Sequence, residues 1–144
     1  MSVPNFSAAL DASIKKEKFT PEVQAAAAKV DSSAFFAAIE TVLGGDDTTS
    51  VEGELAVALK NAFEFAVEVV KMLNSEPGNE DKLVLYKYFK RANNQTPASP
   101  GMFDIQGKYK YNAWKEIKDI SEAKAQAEYI KQVDTLIEKI GTRE

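Results

Sequence analysis

The segment Leu85-Tyr86-Lys87-Tyr88-Phe89-Lys90-Arg91-Ala92, followed by Pro100-Gly101-Met102-Phe103-Asp104 and then by Gly107-Lys108-Tyr109-Lys110-Tyr111-Asn112-Ala113-Trp114, decides how this chain reads. Its two outer blocks are predicted helices, and the Pro/Gly stretch between them is a loop. Lysines are set among tyrosines in both helices. A lysine supplies charge for phosphate, and a tyrosine supplies a flat face and a hydroxyl. Together they suit a ligand with a phosphorylated nucleotide at one end. Tyr86 and Lys90 are four residues apart and share one helix face. Taken singly, Tyr86 and Tyr129 read equally as core aromatics, and Lys90 and Lys110 as solvated surface charges. Spacing alone does not bring the four together.

Outward from this segment the chain reads as helices throughout. Thr49-x-x-Glu52 is a capping-box pattern, and the helix it predicts runs to Leu73 or Asn74 with Leu55, Leu59, Phe63, Ala66, Val67 and Val70 on its apolar side. Ser75-Glu76-Pro77-Gly78 ends it. Asn79 is expected to cap the next helix, with Glu80 and Asp81 near its positive end. Gly107 to Lys118 forms the third helix. Ser121 caps a fourth, which closes at Gly141 after Val133, Leu136, Ile137 and Ile140. No stretch alternates apolar and polar residues long enough for a convincing strand, so the class is all-α.

Three shorter helices are expected before these four. Phe6, Leu10 and Ile14 form a stripe at four-residue spacing. Thr20-Pro21-Glu22 starts a helix reaching about Lys29. Asp31-Ser32-Ser33 opens another, with Phe35, Phe36, Ile39, Val42 and Leu43 inward, and Gly44-Gly45 stops it. Asp46 to Ser50 reads as a solvated linker. The expected division is an Ala-rich helical extension over residues 1–50 and a binding domain over 51–144. The extension's apolar stripe has three readings: packing on its neighbours or on the binding domain, self-association, or a lid or membrane contact near the site.

Composition narrows the function. The 144 residues carry a net charge of −4, which argues against a nucleic-acid partner. The charge is uneven: residues 1–58 hold four Lys and nine acids, whereas the remainder is about +1. The half with the lysine–tyrosine pattern is the more basic, as an anionic ligand prefers. The chain has no Cys and no His, which removes thiolate nucleophiles, Cys/His metal sites and the commonest general base. No apolar run is long enough to span a bilayer. The N-terminus lacks a signal pattern, and no Arg precedes Arg91. The expectation is a cytoplasmic protein without cofactor, metal or catalysis.

In their order and near-spacing, several pieces resemble the acyl-CoA-binding protein family over about residues 60–141. They are Phe63-x-x-Ala66-x-x-x-Val70-Lys71-x-Leu73, Leu83-x-x-Tyr86-x-x-Phe89-Lys90-x-Ala92, Pro100-Gly101-Met102-x-Asp104, Gly107-Lys108-x-Lys110, Ala113-Trp114 and Tyr129-Ile130. The resemblance implies a four-helix, up-down-down-up bundle that binds medium- to long-chain acyl-CoA esters, as a carrier and pool former. It implies that Tyr86, Lys90 and Lys110 engage the nucleotide's 3′-phosphate, with Tyr129 near the adenine and Lys71 and Lys87 close by. It assigns Phe63, Ala66, Val67, Leu83 and Phe89 to the acyl groove, with Tyr109 at its edge. The implied partners are the ligand and the enzymes that use it. The chain is expected to be a monomer, or to self-associate through its extension. An interaction module that works through the extension is the alternative function. Departures from the family pattern are Lys82 at a usually apolar position, Gln106 where a lysine is common, Tyr111 in place of a tryptophan, and a slightly shortened loop before Pro100.

Overall fold

The computed structural model describes residues 2–143, and within them it contains seven helices. They are α1 (Pro4–Ile14), α2 (Pro21–Ala28), α3 (Ser32–Gly44), α4 (Gly53–Val70), α5 (Asn79–Ala92), α6 (Ile105–Glu116) and α7 (Glu122–Ile140). The all-helical class matches the sequence reading. Among the described residues no helix is long and apolar enough to cross a membrane.

The centre of the molecule is α7. Its Ala-rich first half and its Val133/Leu136 second half allow close approach on several sides, and it packs against α1, α3, α4 and α5. Ser121 caps it as expected, its hydroxyl accepting from the Lys124 N–H at 2.9 Å. Gly141 stops it with φ +82°, a backbone conformation that a side chain would strain. The chain then pairs with the end of α4: Asn74 N–H donates to the Gly141 carbonyl at 2.9 Å, and Arg143 N–H to the Met72 carbonyl at 2.8 Å. This clasp explains why α4 ends at Val70 rather than near Asn74. Lys71, Met72 and Leu73 tighten into i→i−3 turns so that Leu73 can meet Thr142.

The start of α4 also differs from the capping-box expectation. Helix begins at Gly53, and the N-cap Glu52 makes no side-chain bond. Thr49 is engaged elsewhere: its carbonyl accepts from the Ser121 hydroxyl at 2.6 Å, and its own hydroxyl donates to Asp46 Oδ1 at 3.3 Å. The 46–50 segment is thus an exposed turn pinned to the N-terminus of α7. Lys124 adds to the pin by donating to the Val42 and Gly45 carbonyls at the end of α3. Asn79 is the first residue of α5 rather than its cap, a place taken by Gly78. α6 starts two residues earlier than expected, because the Asp104 carboxylate accepts from the Gly107 N–H at 2.9 Å and caps the helix.

The extension is built into the same core. Phe6 from α1 meets Phe35 of α3 and Phe65 of α4, with both centroid separations 5.6 Å. All three rings are buried. The Phe6 N–H, unsatisfied within its own helix, donates at 2.8 Å to Asp134, a buried carboxylate on α7. Phe35, Ile39 and Val42 are covered by the rest of the chain, as one reading of the stripe required. Two residues expected inward are not. Ile14 is 37% and Phe36 43% exposed. Four-residue steps advance about 40° around a helix, so Ile14 has drifted from the face of Phe6. Phe36 stands one residue, about 100°, from the buried Phe35.

A second aromatic group lies under α5. Tyr129 of α7 is 5.0 Å from Phe63 and 6.3 Å from Phe89 by ring centroids, and burial pushes its hydroxyl well above the ordinary phenol range.

Two outcomes follow for stability. Phe6→Ala should cost about 3–5 kcal/mol in urea unfolding while leaving a single transition. Two separated transitions would contradict a shared core. Tyr129, with its raised folded pKa, contributes fully below the ordinary phenol pKa of about 10, and this contribution is lost as pH rises toward the folded value. Wild-type stability should therefore fall more steeply than that of Tyr129→Phe in alkaline urea melts.

Candidate functional site

Helix α5 presents Tyr86 and Lys90 on one face, and α6 packs on α5. That packing carries Lys110 to the same place. Lys90 Nζ lies 5.7 Å and Lys110 Nζ 5.4 Å from the centroid of the Tyr86 ring. Each contact is a cation–π interaction worth about 0.5–1 kcal/mol at an exposed site. Among the described residues neither ammonium has a carboxylate within 4.0 Å, whereas Lys71, Lys82 and Lys139 each have one. Two cations gathered at one ring and left without a counter-charge make a place for an anion.

Beside this pair a cleft of about 560 Å³ opens between α5 and α6. This lies within the range of about 300–1,000 Å³ usual for small-molecule sites. Leu83, Tyr86, Ile105 and Tyr109 form its apolar lining, with Asn79, Glu80, Lys82, Gln106 and Lys110 at the polar edges. Lys82 keeps its stem in the wall while its ammonium reaches the exposed Glu76, 3.4 Å away. The cleft is thus an apolar trough with Lys110 in its lining and Lys90 over the Tyr86 ring that forms part of its wall. Among the described residues no group of three or more His, Cys, Asp or Glu could hold a metal ion.

The other expected site residues fall elsewhere. Phe63, Val67 and Phe89 line a second cleft, of about 380 Å³, whose lining also includes Ala25 and Ala26 of α2 and Lys29 just after it. Glu22, Glu64 and Glu68 make its rim acidic, which disfavours phosphate there. Ala66 is fully buried, and Tyr129 is 4% exposed beneath Phe63 and Phe89. Tyr129 therefore supports the floor under α5 and does not line the cleft between α5 and α6. Lys71 caps the end of α4 and pairs with Glu68 at 2.8 Å. Lys87 lies over the Tyr88 ring at 5.1 Å, and neither Lys71 nor Lys87 lines a cleft.

Sequence reasoning missed Ile105 and the contribution of α2. Ile105 precedes Tyr109 by four residues, so an earlier start for α6 would have exposed the pair. For α2, a run of four alanines gives no signal of where it docks.

Comparison with known proteins identifies the family of the helices that carry this site. Residues 60–133 match the family described as acyl CoA binding protein. An acyl-CoA-binding protein of Gossypium hirsutum is 39% identical over 88 residues, 60% of this chain and 99% of its own length. Acyl-CoA-binding protein homolog 1 of Caenorhabditis elegans is 40% identical over 82 residues, 56% of this chain and 95% of its own length. The crystal structure of Oryza sativa acyl-CoA-binding protein 2 superposes with a TM-score of 0.51 at 37% identity, covering 56% of this chain and 92% of that one. The helices that form the cation pair and its cleft lie inside the matched region, and α1 to α3 lie outside it. On these grounds the chain belongs to the acyl-CoA-binding protein family.

Proposed function

We propose that this protein binds medium- to long-chain acyl-CoA esters without transforming them. Tyr86, Lys90 and Lys110 take the phosphorylated nucleotide, and the cleft of Leu83, Tyr86, Ile105 and Tyr109 takes the acyl chain. The observation that carries this reading is the pair of ammonium groups on one tyrosine ring, without a carboxylate partner among the described residues, at the edge of an apolar cleft. The similarity to proteins named for acyl-CoA binding supports it.

The two halves of such a ligand have different energetics. A ribose 3′-phosphate is dianionic near neutral pH, and two ammonium groups in a partly desolvated site hold it better than one. A palmitoyl chain has about fourteen methylenes at about 0.8 kcal/mol each, roughly 11 kcal/mol gross before ordering costs. The chain therefore sets affinity, and the phosphate contacts set the preference for a CoA ester over a free fatty acid. In this reading the protein holds a cytoplasmic pool of acyl-CoA and releases it to acyl-CoA-using enzymes. Residues 51–144 form the binding unit, and residues 1–50 buttress α4 and α7 behind it.

Isothermal calorimetry should show saturable binding of palmitoyl-CoA at micromolar protein. Lys90→Ala and Lys110→Ala should each weaken it by about 1–3 kcal/mol. Absence of saturable binding, or unchanged affinity in both variants, would contradict the reading.

A further inference from the structure

The cleft leaves part of its own neighbourhood unexplained. Met102 and Phe103, just before α6, are 77% and 89% exposed and line neither cleft. Ile105 and Tyr109, at 67% and 63%, continue the same apolar tip along the first turns of the helix. Folding does not require this tip. Helix α6 buries none of its residues fully and rests chiefly on α5. A large apolar side chain left in water on a peripheral helix marks a contact surface when several stand together.

The charge around the tip indicates what it meets. Residues 79–116, which span α5 and α6, carry seven Lys and Arg against four acids, Glu80, Asp81, Asp104 and Glu116. That is a net +3 in a chain of −4, leaving −7 elsewhere. The Asp104 carboxylate is committed to the Gly107 N–H. Lys108 Nζ donates at 2.7 Å to the Met102 carbonyl, which sets an ammonium beside the tip. Lys115, seven residues on, shares that face of α6. The basic segment is the α5–α6 pair, while the acidic extension packs on α4 and α7. An anionic plane therefore attracts one side of the molecule and repels the other, which turns the apolar tip toward it.

We propose that the tip formed by Met102, Phe103 and Ile105, flanked by Lys108 and Lys115, docks on an anionic lipid surface. The apolar side chains enter the headgroup region, and the lysines meet the negative surface potential, each worth a factor of a few in partition. A bilayer accounts for both halves of the surface: apolar residues with no groove-shaped partner face, and a charge separation spread over the whole molecule. Ile105 and Tyr109 also line the ligand cleft, so docking brings the mouth of that cleft to the membrane. The docking stands on the tip and its charges. Only its use, exchange of acyl-CoA with the bilayer, rests on the proposed function.

The test is sedimentation of the full chain with ligand-free vesicles of phosphatidylcholine alone, or with about 30% phosphatidylserine, at physiological salt. The protein should sediment with the anionic vesicles, stay largely free of the neutral ones, and be released by added salt. Phe103→Asp and Lys108→Glu should each lower partition by about fivefold or more. Val57→Asp, at an exposed apolar position on α4, should leave it unchanged. No sedimentation with anionic vesicles would overturn the proposal. So would Phe103→Asp behaving like wild type with its helical circular dichroism intact. Calorimetry with palmitoyl-CoA in vesicle-free buffer separates the two ideas. Docking without ligand binding overturns the acyl-CoA reading alone, and ligand binding without docking overturns the membrane contact alone.

Discussion

Lys90 and Lys110 approach the same tyrosine ring from different helices, and neither finds a carboxylate there. Like charges held near one another repel, and the ring's electron-rich face offsets that repulsion only in part. The arrangement is maintained because α5 is locked to α7 below it and α6, started by its Asp104 cap, packs on α5. A bound phosphate would convert this local cost into paired, charge-assisted hydrogen bonds. In the proposed site, selectivity would come from a charge imbalance that the fold holds in place before any ligand arrives.

What holds it is a long chain of packing that reaches back to the first residues. Asp81 at the start of α5 accepts from Gln132 and Lys139 of α7, both at 3.0 Å, and the Lys139 ammonium holds its carboxyl below the usual range. Phe89 and Phe63 rest on Tyr129, and α4 in turn carries Phe65 against Phe6. The buried Asp134 closes the circuit by satisfying the N-terminus of α1. The helices outside the family region therefore brace α4 and α7 from behind, and one of them, α2, also forms a wall of the second cleft. A four-helix domain that met water on those faces would have no use for Phe65 at 0% exposure.

Much of this was legible from local chemistry. The caps at Thr20, Asp31 and Ser121 and the stop at Gly141 depend on a side chain and its own backbone, and each helix end appears where those residues place it. Expectations failed where a distant partner competed. Thr49 had the pattern of a cap, but Ser121, 72 residues away, takes its carbonyl. The last turn of α4 gave way to the clasp with Thr142. At the site, Tyr86 and Lys90 were readable as neighbours because helical spacing guarantees it. The approach of Lys110 was readable only through family resemblance, since no spacing rule links α6 to α5. The division of Phe63, Val67 and Phe89 from Leu83 and Tyr109 into separate clefts depends on where α2 and α6 dock, which an alanine run and a short amphipathic turn do not encode.

The most direct measurement compares palmitoyl-CoA with its 3′-dephospho analogue, by calorimetry, on the wild type and on the Lys90→Ala/Lys110→Ala double variant. If the paired ammonium groups read the phosphate, the wild type loses about 2 kcal/mol or more on the analogue and the double variant loses almost nothing. Equal losses in both proteins would mean that the phosphate is held elsewhere and that the pair over Tyr86 is not the recognition element.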